Sequence, residues 1–336
     1  MFAHAGPDST ESAAHVAWSL PSWQAIRRFL SRAISTVAAI ALALAASCGN
    51  LPAMTARRIV VLNHKGGTGK THLAYLIAAE CERRRLKCLL VDLDQQANLT
   101  SSFLVDHRSP TGVERLLDPS QEPDPAGVVH STKYTYVDII PATPLLAPLD
   151  LSSQAEWEKS DLHLSLVEPL AALADNYEFI VMDCPPRLSL TSFAALCAGD
   201  EVLIPLEAAN WGARGTHAVV KSMRAVQERF NPSLRLLGYV VSRYKSRRSF
   251  QQEYLRALRE TFGDDAFATV IPDLADFEKA VTDRTLVSIR YPDSNAARIA
   301  REFFDELVRR QPADHEPAGR QPSGSRRLRR RAAVAV

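Results

Sequence analysis

Eight residues, "HKGGTGKT" from His64 to Thr71, constrain this chain more than any other segment. They follow the β-branched run "IVVLN" and open directly into an amphipathic pattern with helical spacing. Glycines at 66, 67 and 69 let successive backbone N–H groups turn onto one anion, and a helix start adds the positive end of its dipole. Lys70 then reaches the terminal phosphates, and the Thr71 hydroxyl is placed to ligate Mg²⁺. A glycine-rich turn alone says little. Strand, loop, Lys-Thr and helix in this order predict a cradle for a nucleoside triphosphate.

From Arg58 onward, short β-branched runs alternate with helical patterns, so βαβ units are expected. The fold class is α/β: a P-loop NTPase fold with a mainly parallel, doubly wound sheet flanked by helices. The runs "IVVLN", "CLLVDL", "FIVMD", "EVLIPL", "LLGYVV" and "ATVI" read as strands buried on both faces. Helices are expected near Thr71 to Arg85, Glu156 to Asn176, Gly215 to Phe230, Phe250 to Phe262 and Ser294 to Arg310. Arg108 to Pro148, rich in Pro, Asp and Ser, reads as loops with a short helix around Gly112 to Leu117. It is expected beside the nucleotide, since ligands bind outside the carboxyl ends of such strands.

Two acidic motifs fall at strand ends. "VDLDQQANLT" puts Asp92 and Asp94 on the same side of an extended chain, two residues apart. "FIVMDCPP" delivers Asp183 to a strand end, where a carboxylate holds Mg²⁺ through water. Pro185 and Pro186 then fix a turn able to respond to a γ phosphate.

An ordinary phosphate loop has glycine at the position of His64, and here a lysine, Lys65, follows one residue later. "KGGTGKT" thereby resembles the deviant Walker A motif of the ParA and MinD superfamily. "DLDQQ" and "DCPP" are similar to its switch I "DxDPQ" and switch II "DxPP", and the resemblance covers about Arg58 to Arg310. It implies a ParA-type partition ATPase, a weak Mg-dependent ATP hydrolase with ATP and Mg²⁺ as cofactors. The implied catalytic residues are Lys65, Lys70 and Asp94: Lys65 contacts phosphates across an ATP-sandwiched homodimer, and Asp94 positions the attacking water. Metal binding falls to Thr71, Asp92 and Asp183, with Asp92 supporting the hydration shell. Nucleotide contacts are Lys65, Gly66, Gly67, Thr68, Gly69, Lys70, Thr71 and His72, with Pro272 and Asp273 at the base. The sequence departs from the family at His72 (Thr), Gln95 (Pro) and Ala194 (Asn), and Glu207 and Trp211 substitute in the "PVQPE" strand and loop.

For such an ATPase the expected task is plasmid or chromosome segregation. An ATP dimer binds DNA without sequence preference, and a ParB-like centromere-binding adaptor stimulates hydrolysis. The basic stretch Arg243, Lys245, Arg247 and Arg248 is the candidate DNA contact. The expected location is cytoplasmic and nucleoid-associated. Two alternatives stand beside this reading: a MinD-like membrane-positioning ATPase, and a metabolic enzyme such as a carboxylate-activating synthase or an iron-protein reductase. The first calls for an amphipathic membrane-targeting end, and "RRLRRRAAVAV" has too short an apolar face, so a membrane partner is not expected. The reductase calls for cluster-ligating cysteines after the switch regions, where Cys197 stands alone.

Composition enters only at the margins. A net charge of +2 over 336 residues identifies no partner by itself. The five cysteines, Cys48, Cys81, Cys88, Cys184 and Cys197, lack CxxC spacing and a secreted framework, which points to a reduced cytosol. Arg27 to Cys48 nevertheless imitates a signal peptide around the apolar segment 34–46. Met54 lies just before the first strand, so translation is expected to start there, with 1–53 a poorly ordered or non-native extension. The ATPase domain is expected over 54–311, and 312–336 as a disordered tail carrying the basic run Arg326 to Arg331.

Overall fold

The computed structural model describes residues 55–104, 111–118, 124–151, 153, 160–207 and 213–310. The expected extension 1–53, the apolar segment 34–46, Trp211 and the basic tail lie outside the described residues.

Strand β1 (Arg57–Val61) leads through the glycine loop into α1 (Lys70–Arg84). Then follow β2 (Cys88–Asp92), α2 (Asn98–Phe103), the short β3 (His130–Ser131) and β4 (Val137–Ile140). Helices α3 (Leu146–Asp150) and α4 (Val167–Leu173) precede β5 (Phe179–Asp183), α5 (Leu190–Ala198) and β6 (Glu201–Glu207). The chain continues through α6 (Ala213–Arg229), β7 (Arg235–Ser242) and α7 (Ser249–Phe262). It closes with α8 (Ala275–Thr282), α9 (Val287–Arg290) and α10 (Asn295–Arg309).

The strands form one seven-stranded sheet in the order β3-β4-β2-β5-β1-β6-β7, parallel except for β3 on the edge. Alternate residues of β1 face opposite sides: Ile59 and Val61 join one core, Val60 and Leu62 the other. Side chains of α1 and α10, such as Leu73, Ile77, Phe303 and Phe304, fill the first core. Those of α5 and α6, such as Leu196, Val219 and Val226, fill the second. A sheet covered on both faces explains why its strands read as unbroken apolar runs. Each fully buried Leu, Ile or Phe contributes about 1.5–3 kcal/mol over an exposed one, so these two cores dominate stability.

Five of the six expected strands are strands. "ATVI" is not: Ala268 and Thr269 donate their N–H groups to the Glu306 carboxylate, each at 2.8 Å, instead of to a neighbouring strand. Phe267 and Ile271 donate their N–H groups to the β7 carbonyls of Tyr239 and Val241, and Ala266 makes an isolated bridge to Tyr239. Burial alone pushes the Glu306 carboxyl up, but the hydrogen bonds from Thr269, Ala268 and Arg310 prevail and hold it below its usual range. Conversely, β4 lies inside the stretch expected to be loops, where "VDII" is only four residues long. The short helix expected at 112–117 is a 3₁₀ turn over Val113–Leu116. Of the helix expected from Glu156, residues 156–159 lie outside the described residues, and the helix α4 starts at Val167.

Candidate functional site

Parallel register places the strand ends side by side. Asp183 pairs with Val61 on β1 and with Asp92 on β2, so the glycine loop and both acidic motifs leave the sheet at neighbouring points. They line a cleft of about 940 Å³ that includes Gly66, Gly67, Gly69, Lys70, Thr71, Asp94 and Pro186.

The loop needs its glycines. Gly67 and Gly69 have φ of 74° and 92°, the left-handed region that side chains disfavour. A Cβ on Gly69 would also lie 2.8 Å from the Ser242 hydroxyl. Ser242, itself buried, donates that hydroxyl to the Thr68 carbonyl and pins the loop to the end of β7. At the loop's entry, Asn63 donates to the Pro205 carbonyl at 2.7 Å and accepts from the Lys65 N–H at 3.0 Å.

The two lysines behave differently. Lys70 is buried and turned inward, its Nζ donating to the Lys65 carbonyl at 3.2 Å. Burial pushes its ammonium below the ordinary range, while the nearby Asp183, Cys184 and Asp94 partly offset this. Lys65 points outward, two-fifths exposed, and pairs with Glu207 at 3.0 Å.

The acidic residues also divide. Asp92 uses both oxygens: Oδ1 accepts from the Asp94 N–H at 3.1 Å, and Oδ2 from the Thr100 N–H at 2.8 Å and hydroxyl at 2.7 Å. Burial raises its pKa to about 6 in spite of these hydrogen bonds. Asp183 is buried with neither oxygen hydrogen-bonded among the described residues. Burial, then the Asp92 charge, drive its pKa up, and the Thr71 hydroxyl and Lys70 pull the other way without meeting hydrogen-bond geometry. Two buried carboxyls beside a cleft cost stability when ionised, and a divalent cation offsets that cost. Asp183 and the Thr71 hydroxyl therefore fit a magnesium held mainly through water and phosphate. Asp94 is half-buried in the same cleft, its Oδ1 accepting from the Gln96 N–H at 3.0 Å.

Near the expected base contacts, His72 packs edge-on against Phe277 with ring centroids 4.7 Å apart. Burial, reinforced by the Arg243 charge and opposed by Asp273, lowers its pKa to about 4, so the ring is neutral at pH 7. Pro272 bridges to Tyr244, and Asp273 pairs with Lys245 at 2.9 Å.

The expected DNA stretch is split. Arg243 leaves it for the cleft, donating to the Gly67 carbonyl at 3.3 Å, and Lys245 is tied to Asp273. Arg247 and Arg248 stay exposed at the start of α7, Arg248 over the Phe250 ring. Among the cleft residues, Arg243 was expected at DNA and not at the nucleotide, and Tyr75 was not expected at a site at all. Arg243 was hidden in a run of cations, and Tyr75, whose buried hydroxyl lacks a hydrogen-bond partner among the described residues, sits in the apolar stripe of α1.

The chain's similarities to known proteins agree with this geometry. A sequence model of the AAA domain family matches residues 56–236. The chromosome partitioning protein ParA of Myxococcus xanthus is 33% identical over 226 residues, 66% of this chain and 76% of that protein. The chromosome-partitioning ATPase Soj of Thermus thermophilus is 34% identical over 254 residues, 76% of this chain and 96% of that protein. Among solved structures, cobyrinic acid a,c-diamide synthase from Mycobacterium smegmatis with bound ATP analogue and magnesium has a TM-score of 0.65 at 28% identity. That likeness covers 76% of this chain and 94% of the synthase chain. On its phosphate loop, its acidic strand ends and these relatives, the chain belongs to the ParA-type ATPases of the ParA/MinD superfamily.

Proposed function

We propose that this ATPase segregates DNA: ATP closes a homodimer, the dimer binds DNA without sequence preference, and a ParB-like adaptor triggers hydrolysis. ATP and Mg²⁺ are its cofactors. Magnesium, when bound, would supply positive charge against the phosphates. Lys70 and the loop N–H groups hold the phosphates, Thr71 and Asp183 hold the metal's shell, and Asp94 orients the attacking water. Asp92 keeps the switch I loop and the start of α2 in place through Thr100.

The observation that carries this reading is the outward Lys65. Its ammonium does not fold over its own loop, so a triphosphate brought by a second subunit is its natural partner. The Glu207 pair in the free protein is no obstacle, because an exposed ion pair is worth about 0–1 kcal/mol. A charge-assisted hydrogen bond to phosphate in a dry interface is worth about 1.5–3 kcal/mol. Of the expected basic stretch, Arg247 and Arg248 are left to face DNA.

A carboxylate-activating synthase is the second reading, favoured by the likeness to the cobyrinic acid a,c-diamide synthase. Pelleting with plasmid DNA or with anionic vesicles, each with ATP and with ADP, separates the possibilities. DNA should pellet the protein with ATP and not with ADP, and vesicles should do neither. Nucleotide-independent DNA binding, or ATP-dependent vesicle binding, would overturn the segregation reading.

A further inference from the structure

We infer that Arg243 is a phosphate-binding residue of the nucleotide site, acting on the nucleotide bound by its own subunit. Its backbone has φ of 53°, which only a few per cent of non-glycine residues adopt, and such conformations persist where the surroundings enforce them. Both neighbours are anchored at the cleft. Ser242 donates to the Thr68 carbonyl, and Tyr244 donates its N–H to the Ile271 carbonyl at 3.1 Å and accepts from the Asp273 N–H at 3.0 Å. Arg243 is thus the residue at which β7 turns over the phosphate loop.

The side chain follows the backbone. Its Nη1 donates to the Gly67 carbonyl at 3.3 Å and would lie 3.6 Å from a Cβ built on Gly67. The guanidinium is exposed and forms no ion pair among the described residues, whereas Lys65 is paired with Glu207 and Lys245 with Asp273. A single weak hydrogen bond leaves its other N–H groups for a ligand. A planar fork of donors at the rim of a phosphate cradle suits phosphate oxygens better than a lysine would.

The inference rests on the chain being a nucleotide-binding ATPase, and it changes the role expected of Arg243 from DNA to nucleotide. The side chain reaches its own loop, so ADP and ATP should both depend on it. Arg243→Asn is the informative variant, because asparagine tolerates the left-handed backbone and removes the charge. Titration calorimetry of the full chain with ATP and with ADP should show Kd raised about tenfold to a hundredfold for both, the range of one charge-assisted hydrogen bond. Arg243→Lys should recover part of the loss, and Arg256→Ala, which removes an exposed cation of α7 that does not line the cleft, should leave both Kd values unchanged. Wild-type affinity for both nucleotides in Arg243→Asn overturns the inference, whether or not DNA binding falls. Failure of the wild type to bind either nucleotide would instead overturn the ATPase reading beneath it.

Discussion

Lys70→Ala is expected to abolish ATP binding. The ammonium is already desolvated in the free protein, held by the Lys65 carbonyl and by the field of Asp183 and Asp94. Phosphate therefore gains a charge whose dehydration cost has been met on folding, in a site where little water screens it. Without it, the loop N–H groups alone face several negative charges. The Asp183 carboxyl, which Lys70 helps to ionise, would also hold its proton more firmly and bind magnesium less well. ATP at about a hundred times its Kd stabilises a protein by about 2.7 kcal/mol. For a domain of this size that is a rise of about 5–10 °C in Tm. Thermal melting should show this rise for the wild type and none for Lys70→Ala; an equal rise in both removes the loop from nucleotide binding.

Asp94→Ala is expected to keep ATP and magnesium while turnover falls about 10²–10⁴-fold, the usual worth of a positioned proton acceptor. The change is local because, among the described residues, the Asp94 side chain is hydrogen-bonded only to the Gln96 N–H, and the backbone of the loop is fixed by Asp92. Asp92 would be the wrong residue to remove: its buried carboxylate organises Thr100 and the loop, so its loss disturbs folding along with catalysis. Phosphate release and filter-bound ATP, measured on the same Asp94→Ala sample with DNA and adaptor present, separate chemistry from binding. Undiminished turnover excludes Asp94 from the reaction.

The sequence made some of this legible and hid the rest for physical reasons. The loop could be read because glycine spacing, Lys-Thr and the flanking periodicities are all local, and local patterns survive folding. The adjacency of Asp92 and Asp183 could not, since it depends on β5 inserting between β1 and β2. "ATVI" has a strand's composition, but a carboxylate from α10 captured its N–H groups, and no feature within the run announces that. The strand "VDII" was lost among prolines and aspartates because four residues carry too little alternation. Arg243 illustrates the limit of reading charge runs: Arg243, Lys245 and Arg247 look equivalent in sequence, yet a left-handed backbone turns the first onto the phosphate loop and Asp273 holds the second.

In the proposed function a nucleotide is shared between two subunits, and Lys65 is the residue that reaches the partner's phosphates. In a two-fold dimer each Lys65 leaves Glu207 for the partner's phosphates, so losing both contacts should weaken dimerisation at least tenfold, at about 1.4 kcal/mol per decade. ATP binding by the monomer should survive, since Lys70 and the loop are untouched. Sedimentation velocity with ATP, comparing Asp94→Ala with the Lys65→Ala, Asp94→Ala double variant, measures this directly. The account predicts a dimer for the first and mainly monomer for the second at the same concentration, and equally strong dimerisation of both would contradict it.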